Sequence, residues 1–245
     1  MSTYKELTYM VLDELKLSSD DAQFTEDHVM FLLNKYRTFL LKQRYSDIKK
    51  QIPESNYQTI CLDLIQVPTI SGEPCEGGTY LRSKEKIPFL MQIGTPRVYP
   101  LDYYQGEITY VSRDRMRYVG YNKFLQNIIY CSIGPDNYLY FKSFNPQYLY
   151  LEKAKFTGIF QDSMQASDLQ CPDDSGETIC DPVDRTFPIE DALVPPLIEF
   201  VVKELAGPVY KPDDEENNAK DDLANKLTKG IMKYGRDKTL SGRVR

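Results

Sequence analysis

Residue types that carry catalysis or bind metals are sparse in this sequence. His28 is the single histidine in 245 residues, and it falls in the first turn of a predicted helix, where a surface role is the simpler interpretation. Eight residues separate Cys171 from Cys180, a wider spacing than that of paired zinc ligands. The odd number of cysteines indicates free thiols and folding in the cytosol. We expect Cys61 and Cys131 to be small core residues in strands.

Acidic residues do not form a recognisable catalytic or metal-binding motif either. The run Asp173 to Glu177 is too short for a calcium-binding loop. Gly77 and Gly78 lack the lysine and hydroxyl residue of a phosphate-binding loop. Two carboxylates on facing strands would suffice for a glycosidase, and an acidic sequence neither shows nor excludes them. We therefore predict that the chain is not an enzyme and that it binds no metal and no cofactor.

Charge is unevenly distributed along the chain. The formal net charge is −6. Residues 162–191 hold nine acidic residues and one arginine, whereas residues 219–245 hold eight basic and three acidic residues, a net charge of +5. Residues 1–218 therefore carry −11. An acidic chain is a poor candidate for gripping nucleic acid through its phosphates, which requires a basic surface.

The basic C-terminal segment is a candidate docking arm, and a solvated terminus is the alternative. The predicted docking residues are Lys226, Lys229, Lys233, Arg236, Lys238, Arg243 and Arg245. A second basic group lies near the tip of a predicted hairpin and consists of Arg113, Arg115 and Arg117. This group fits an inter-subunit contact, a contact with a DNA backbone in a channel, or a solvated turn.

Apolar residues at helical spacing predict helices at both ends of the chain. Thr3 and Glu6 form a capping-box pattern before a helix over 3–16, with Tyr4, Leu7, Val11 and Leu15 in its stripe and Met10 widening it. The second helix runs from Thr25 to about Tyr45; its predicted buried face is Val29, Leu32, Leu33, Tyr36, Phe39 and Leu40. Further helices are predicted from Asp191 and over 218–234.

The middle of the chain predicts strands joined by tight turns. The alternation of Ile60, Leu62 and Leu64 with less apolar residues marks the first. The others are predicted at 107–112, 116–121, 127–133, 138–143 and 148–156. The fold class is therefore α+β, with a helical layer from the N- and C-terminal helices and an inserted antiparallel β meander that closes as a small sandwich or barrel.

The predicted domain organisation follows from this layout. Residues 1–50 and 191–234 form the helical layer. Residues 51–190 form the inserted β domain, which includes an acidic excursion over 162–190. Residues 235–245 form an extended C-terminal tail. The sequence predicts no membrane span, because its most apolar stretch, 192–206, contains prolines and charges. We also expect no signal peptide.

Tyrosines are concentrated in the predicted β domain, which holds Tyr99, Tyr103, Tyr104, Tyr110, Tyr118, Tyr121, Tyr130, Tyr138, Tyr140, Tyr148 and Tyr150. Three interpretations stay open. The rings stack on sugars or bases, they pack on a half-buried sheet, or they line a subunit interface.

Several stretches resemble virion proteins of crAss-like bacteriophages, over nearly the whole chain to about residue 225. They are YKELTYMVLDELKL at 4–17, FTEDHVMFLLNKYR at 24–37, IPESNYQTICLDL at 52–64, YVGYNKFLQN at 118–127 and LVPPLIE at 193–199. The layout is also similar to the tail-adaptor proteins of short-tailed phages, which have two helices, an inserted β unit and returning helices.

The resemblance implies a structural protein of the portal vertex. In such families twelve copies form a ring that stacks beneath the portal, extends its DNA channel and joins it to the tail. The helical layer packs between subunits, and a C-terminal arm binds the portal or an adjacent ring or tail protein. The expected location is the virion, after assembly in the host cytoplasm, with DNA passing through without specific binding. The alternatives are a carbohydrate-binding β module or depolymerase component at the tail tip, and an internal scaffold or cargo protein.

Overall fold

In the computed structural model, two helices precede a β-barrel in the sequence and one long helix follows it. The structure describes residues 2–18, 24–47, 50–71, 79–101, 108–120, 122–171 and 181–209. The helices are α1 (Tyr4–Ser18), α2 (Glu26–Arg44), α3 (Arg113–Met116), α4 (Ser163–Asp168) and α5 (Val194–Val209). The strands are β1 (Gln58–Val67), β2 (Tyr80–Ser83), β3 (Arg97–Pro100), β4 (Ile108–Tyr110), β5 (Ile129–Ile133), β6 (Leu139–Lys142) and β7 (Lys153–Gly158).

The N-terminus of α1 is held by the predicted capping box. The backbone N–H of Thr3 donates to Glu6 Oε2 at 2.9 Å, and the N–H of Glu6 donates to Thr3 Oγ1 at 3.2 Å. These bonds satisfy two donors that the first helical turn leaves without a partner. The prediction of this helix start from two residues is confirmed.

Helices α1, α2 and α5 pack against one another around one apolar core. That core contains Leu7 and Val11 of α1, Leu33 of α2 and Leu197 and Val201 of α5, all fully buried. It also takes up side chains from outside these helices, namely Met91, Ile159, Phe187 and Ile189. The helical layer is therefore fused to the rest of the chain by shared packing.

Two predicted core positions are wrong. Met10 of α1 and Phe39 of α2 are 48% and 52% exposed. On α2 the buried face includes Leu41 and the fully buried Arg37 instead. The prediction missed this rotation of the buried face because hydrophobicity alone ranks Phe39 above Arg37.

Seven strands close into a barrel in the order β1-β2-β6-β5-β4-β3-β7. Strand β1 closes the barrel by pairing antiparallel with β7, from Gln58 opposite Gly158 to Asp63 opposite Lys153. Strands β4 and β5 pair in parallel, so the segment between them must cross from one end of the barrel to the other. Inward-facing residues, among them Ile60, Leu62 and Phe156, fill a second core.

The α+β class with a barrel is confirmed, but the barrel is mixed and not the predicted antiparallel meander, because β4 and β5 are parallel and neighbouring strands are not all consecutive in sequence. Several predicted strands are also corrected. The strand predicted over 116–121 is absent from the described residues 116–120: Met116 ends the short helix α3, and 117–120 are turns, while residue 121 lies outside the described residues. The predicted strand 148–156 begins as a 3-10 helix, Pro146–Tyr150, and only β7 is extended. Strands β2 and β3 were not predicted: each is 4 residues long and begins shortly after glycine or proline residues, which indicate a loop.

The segment predicted as an acidic excursion is partly helical. It contains α4 and the 3-10 helix Pro182–Asp184, and a second 3-10 helix, Asp191–Leu193, follows it directly. Asp162 caps α4 by accepting from the N–H groups of Met164 and Gln165. Residues 172–180 lie outside the described residues.

Cys61 does not behave as predicted. Its sulfur is bonded to that of Cys171, with the two Cα atoms 4.9 Å apart. The bond joins β1 to the end of the α4 segment. Cys131 is a free, buried thiol as expected, and burial raises its pKa above the ordinary value.

The C-terminal predictions fall on residues that the structure does not describe. The helix over 218–234, the tail 235–245 and all seven predicted docking residues lie beyond 209, and the domain boundaries stay predictions. Among the described helices, none combines the length and apolarity that crossing a membrane requires.

Candidate functional site

The segment that crosses between the parallel strands β4 and β5 is the most exposed aromatic and basic part of the described chain. Residues 112–128 carry four basic residues, Arg113, Arg115, Arg117 and Lys123, against Asp114. All five side chains are exposed. We call the outward face of residues 113–125 the crossover surface. It has a net charge of +3 within an acidic chain.

Two aromatic side chains stand on this surface. Tyr118 is 78% exposed and Phe124 is 80% exposed. Asn122 fixes the backbone before Phe124 by accepting from its N–H at 3.1 Å. The ammonium group of Lys123 lies 5.0 Å from the centroid of the Phe124 ring, a favourable cation–π distance. Large exposed aromatics beside cations are typical of protein interfaces.

The crossover surface is anchored rather than loose. Met116 is buried beneath it. Gly120 has a φ of +85°, and a Cβ there would lie 2.5 Å from ring atoms of Phe144 in the β6–β7 connection. Ser143 Oγ lies within hydrogen-bond distance of the carbonyls of Gln126 and Ile128, at 3.3 and 3.1 Å. The positive φ of Gly120 and the close approach of the Phe144 ring together require a glycine at position 120, where the two connections meet.

The predicted arginine group thus lies on one surface, in a helix and turn rather than at a hairpin tip. Arg113 and Arg117 also line a pocket of about 280 Å³ with Tyr118, Ile70 and Ser132. The structure brings together the three arginines that the sequence singled out and adds Lys123, Tyr118 and Phe124, whose joint exposure the sequence did not reveal.

A cleft of about 490 Å³ lies outside the opposite wall of the barrel. It is bounded by β1, by α4 and by residues 186–188, and its lining includes Tyr57, Thr59, Ser167, Gln170 and Phe187. In the closed strand order, β5 is three places from β1 in one direction and four in the other. The cleft and the crossover surface, which packs on β5 through α3, therefore face opposite directions.

Acidic residues neighbour this cleft along the chain. Asp168, which follows Ser167 of the lining, lies 3.8 Å from Arg185, and Asp184 lies 3.4 Å from Lys5 of α1. Asp181 is exposed in the same segment, and the lining itself includes Glu54 and Lys155. The described residues 162–171 and 181–191 hold six acidic residues and one arginine, a net charge of −5. We call the surface formed by the cleft and these carboxylates the acidic face.

Arg37 connects the helices to the barrel. Its side chain is fully buried and donates to three backbone carbonyls, those of Pro188 at 2.7 Å, Phe160 at 2.9 Å and Asn56 at 3.4 Å. Burial lowers the pKa of Arg37 to about 10, so it remains charged at neutral pH. No sequence pattern indicates this role of Arg37, because the three acceptors are backbone atoms.

A second set of bonds reinforces the same joint. Asn34 Nδ2 donates to Asp162 Oδ1 at 2.8 Å, and Ser163 Oγ donates to Asn34 Oδ1 at 2.8 Å. Glu190 accepts from the Tyr45 hydroxyl at 2.8 Å and pairs with Arg44 at 2.7 Å. The helical layer and barrel are therefore one rigid support for the two surfaces.

Tyrosines of the barrel serve mainly as packing. Tyr80, Tyr130, Tyr140 and Tyr148 are buried, which agrees with the packing interpretation. Tyr99, Tyr118 and Tyr150 are exposed. The buried rings are unavailable as a stacking platform for sugars, whereas the three exposed rings could still take part in stacking.

Catalytic and metal-binding groupings do not emerge in the described part of the chain. No cluster of three or more histidine, cysteine, aspartate or glutamate residues suited to a metal occurs there. His28 is exposed.

Exposed aromatic and basic side chains on one wall of an α+β barrel, with a cleft outside the opposite wall, are features of proteins that contact other proteins. The chain belongs to the phage tail ring protein 2 family, whose sequence profile matches residues 6–223. It is 74% identical over 221 residues to Ring protein 2 of Bacteroides phage crAss001, an alignment that covers 90% of this chain and 98% of that protein.

Family membership confirms the resemblance to crAss-like phage ring proteins. The chain is a phage ring protein, a structural component of the virion. The crossover surface and the acidic face are therefore candidates for its assembly contacts.

Proposed function

We propose that this ring is a connector at the portal vertex, where it joins the capsid portal to the tail and extends the DNA channel. The observation that carries the proposal is the separation of charge, −11 over residues 1–218 and +5 over 219–245, in a member of a phage ring family. A basic arm suits an acidic neighbour, and an acidic body suits a channel along which DNA must slide.

The proposed mechanism has two steps. Twelve copies add to the portal after packaging, matching its symmetry, and the C-terminal arm of each copy binds the portal or an adjacent ring through its lysines and arginines. Ordering the arm on binding costs entropy but covers a large surface. The closed ring then seals the joint and offers a platform for the next tail component. DNA passes without specific binding, because acidic walls repel its phosphates.

Negative-stain imaging of the chain mixed with the portal of the same phage tests this role. We expect a longer portal particle that bears an additional twelve-fold layer. A chain lacking 219–245 should keep its fold and fail to add this layer. A truncated chain that still joins the portal normally would contradict the arm.

A charge variant separates the arm's charge from its length. Reversing Lys226, Lys229, Lys233, Arg236, Lys238, Arg243 and Arg245 to glutamate keeps the arm's length and should also abolish the layer. A scrambled arm of the same composition is the matched control. If the scrambled arm binds as well as the native one, charge suffices; if only the native order binds, a specific fit is needed as well.

A further inference from the structure

We propose that the ring closes head to tail, with the crossover surface of each copy seated on the acidic face of the next copy. The proposal rests on membership of the ring family and is independent of the portal role. A ring with rotational symmetry requires two different surfaces on every subunit, each complementary to the other. The two surfaces described above meet this requirement in position, charge and shape.

Position is the first argument. The crossover surface lies outside β5 and the acidic face outside β1, on opposite walls of a closed barrel. One copy cannot bring its own two surfaces together, because the filled barrel lies between them. Their contact is therefore possible only between copies, and repeating it generates a chain of subunits that closes when the rotation per step allows.

Charge is the second argument. The crossover surface has a net charge of +3 over residues 112–128, and the described residues 162–171 and 181–191, which include the carboxylates of the acidic face, have −5. Arg115 and Lys123 are exposed on the first surface, and Asp168, Asp181 and Asp184 are exposed on the second. Opposite fields steer the two surfaces together and reject like-with-like pairing, which would form dimers rather than a ring.

Shape is the third argument. Tyr118 and Phe124 protrude from the crossover surface, whereas the acidic face contains a cleft of about 490 Å³. The cleft is large enough for an aromatic ring and is lined by Tyr57 and Phe187 together with threonine and glutamine side chains. Interfaces concentrate their binding energy where an aromatic side chain enters a pocket and loses its water.

Zero-length carbodiimide cross-linking of purified virions tests the contact in the protein as it occurs. Lys123 should be linked to Asp168, Asp181 or Asp184, and the opposite positions of the two surfaces make such a link intermolecular. The pairs Lys35–Glu204 at 3.3 Å and Lys5–Asp184 at 3.4 Å are internal positive controls. If these pairs link while Lys123 links only to other virion proteins, or to nothing, the proposal is wrong.

A reciprocal charge exchange tests it independently. Variant A carries Arg115→Glu and Lys123→Glu; variant B carries Asp181→Lys and Asp184→Lys. Each variant alone should self-associate at least about tenfold more weakly than wild type in sedimentation velocity at low salt. A mixture of A and B should recover assembly, because every A–B contact again joins opposite charges.

A control variant with the same change of charge, placed away from both surfaces, shows whether any loss of association is specific to the acidic face. Glu26→Lys with Glu199→Lys applies the same charge change as variant B to exposed residues of α2 and α5 and should leave association unchanged. Recovery in the A–B mixture supports the head-to-tail contact. Variants that associate like wild type, or a mixture that fails to recover, overturn it. Removal of 219–245 should not affect this association, so failure of the portal role is distinguishable.

Discussion

At the scale of single residues, Arg37 is the side chain on which the joint between helices and barrel depends. It is charged and fully buried, and its three partners are neutral carbonyls on three separate segments. Its removal would leave all three acceptors buried without a donor, which costs far more than the loss of an exposed bond.

The substitution Arg37→Met should therefore lower the free energy of unfolding by about 3 kcal/mol. Urea denaturation followed by circular dichroism measures the change. Lys42→Met, at an exposed position of the same helix, is the control and should cost less than about 0.5 kcal/mol. Equal effects of the two substitutions would contradict the structural role of Arg37.

A second residue-scale prediction concerns alkaline pH. Burial in the helical core raises the pKa of Tyr4 to about 12, against about 10 in an unfolded chain. Below pH 10 Tyr4 is protonated in both states and has no effect on the pH dependence of stability. Between pH 10 and 12 the unfolded chain loses the proton while the folded protein retains it, so stability falls by about 1.4 kcal/mol per pH unit through this group.

The variant Tyr4→Phe isolates this effect. Its stability should fall less steeply than that of wild type between pH 9.5 and pH 11 in urea titrations, about as expected for one proton. Tyr9→Phe, an exposed tyrosine on the same helix, should keep the wild-type slope. Parallel curves for all three proteins would show that Tyr4 ionises normally in the folded state.

At the scale of elements, the position of the crossover surface depends on its contact with the β6–β7 connection. Gly120 has a positive φ and touches the Phe144 ring. Gly120→Ala adds backbone strain and a steric clash and should cost about 2 kcal/mol in stability.

A double-substitution cycle separates the two contributions. In a Phe144→Ala background the clash is gone, and Gly120→Ala should cost only the strain of the left-handed backbone, about 1 kcal/mol. Urea denaturation of the four proteins gives both numbers. The same cost in both backgrounds would mean that Phe144 does not hold the crossover segment.

Local signals explain which elements were predictable. The capping box of α1 involves residues three apart, and the apolar face of α5, with Leu197, Val201 and Leu205 buried, repeats within one helix. The closure of β1 on β7, in contrast, joins residues about one hundred positions apart. The bond between Cys61 and Cys171 spans 110 residues. No periodicity in the sequence reports such long-range pairings.

Some features of the candidate site were predictable from local sequence, and others depend on long-range strand pairing. Composition identified Arg113, Arg115 and Arg117 as a group and the segment 162–191 as acidic. Periodicity placed the arginines in and beside a strand, because the pattern over 116–121 resembles alternation, whereas Met116 is an anchor beneath a turn. The opposite placement of the two charged surfaces follows from the strand order and was inaccessible to sequence reasoning.

At the scale of the whole molecule, assembly through two oppositely charged surfaces should depend on ionic strength. Raising the salt concentration from about 0.1 to 1 M shortens the screening length from about 10 to 3 Å. Self-association of the wild-type chain should weaken progressively over this range in sedimentation velocity.

The control for this prediction removes the charges rather than reversing them. Arg115→Gln with Lys123→Gln should associate weakly at low salt and show a much flatter dependence on salt. A wild-type chain whose association is unaffected by salt would mean that apolar contacts alone, such as those of Tyr118 and Phe124, hold the copies together.

The closed barrel has a consequence for the life of the subunit before it reaches the particle. Strand edges are the usual route by which β proteins stick to one another, and a barrel closed by β1 and β7 leaves none open among its strands. The barrel strands therefore offer no backbone edge to the strand-to-strand pairing that leads to fibrous aggregates. A neighbouring subunit that docks on the barrel wall must be recognised by the side chains there and not by the strand backbones.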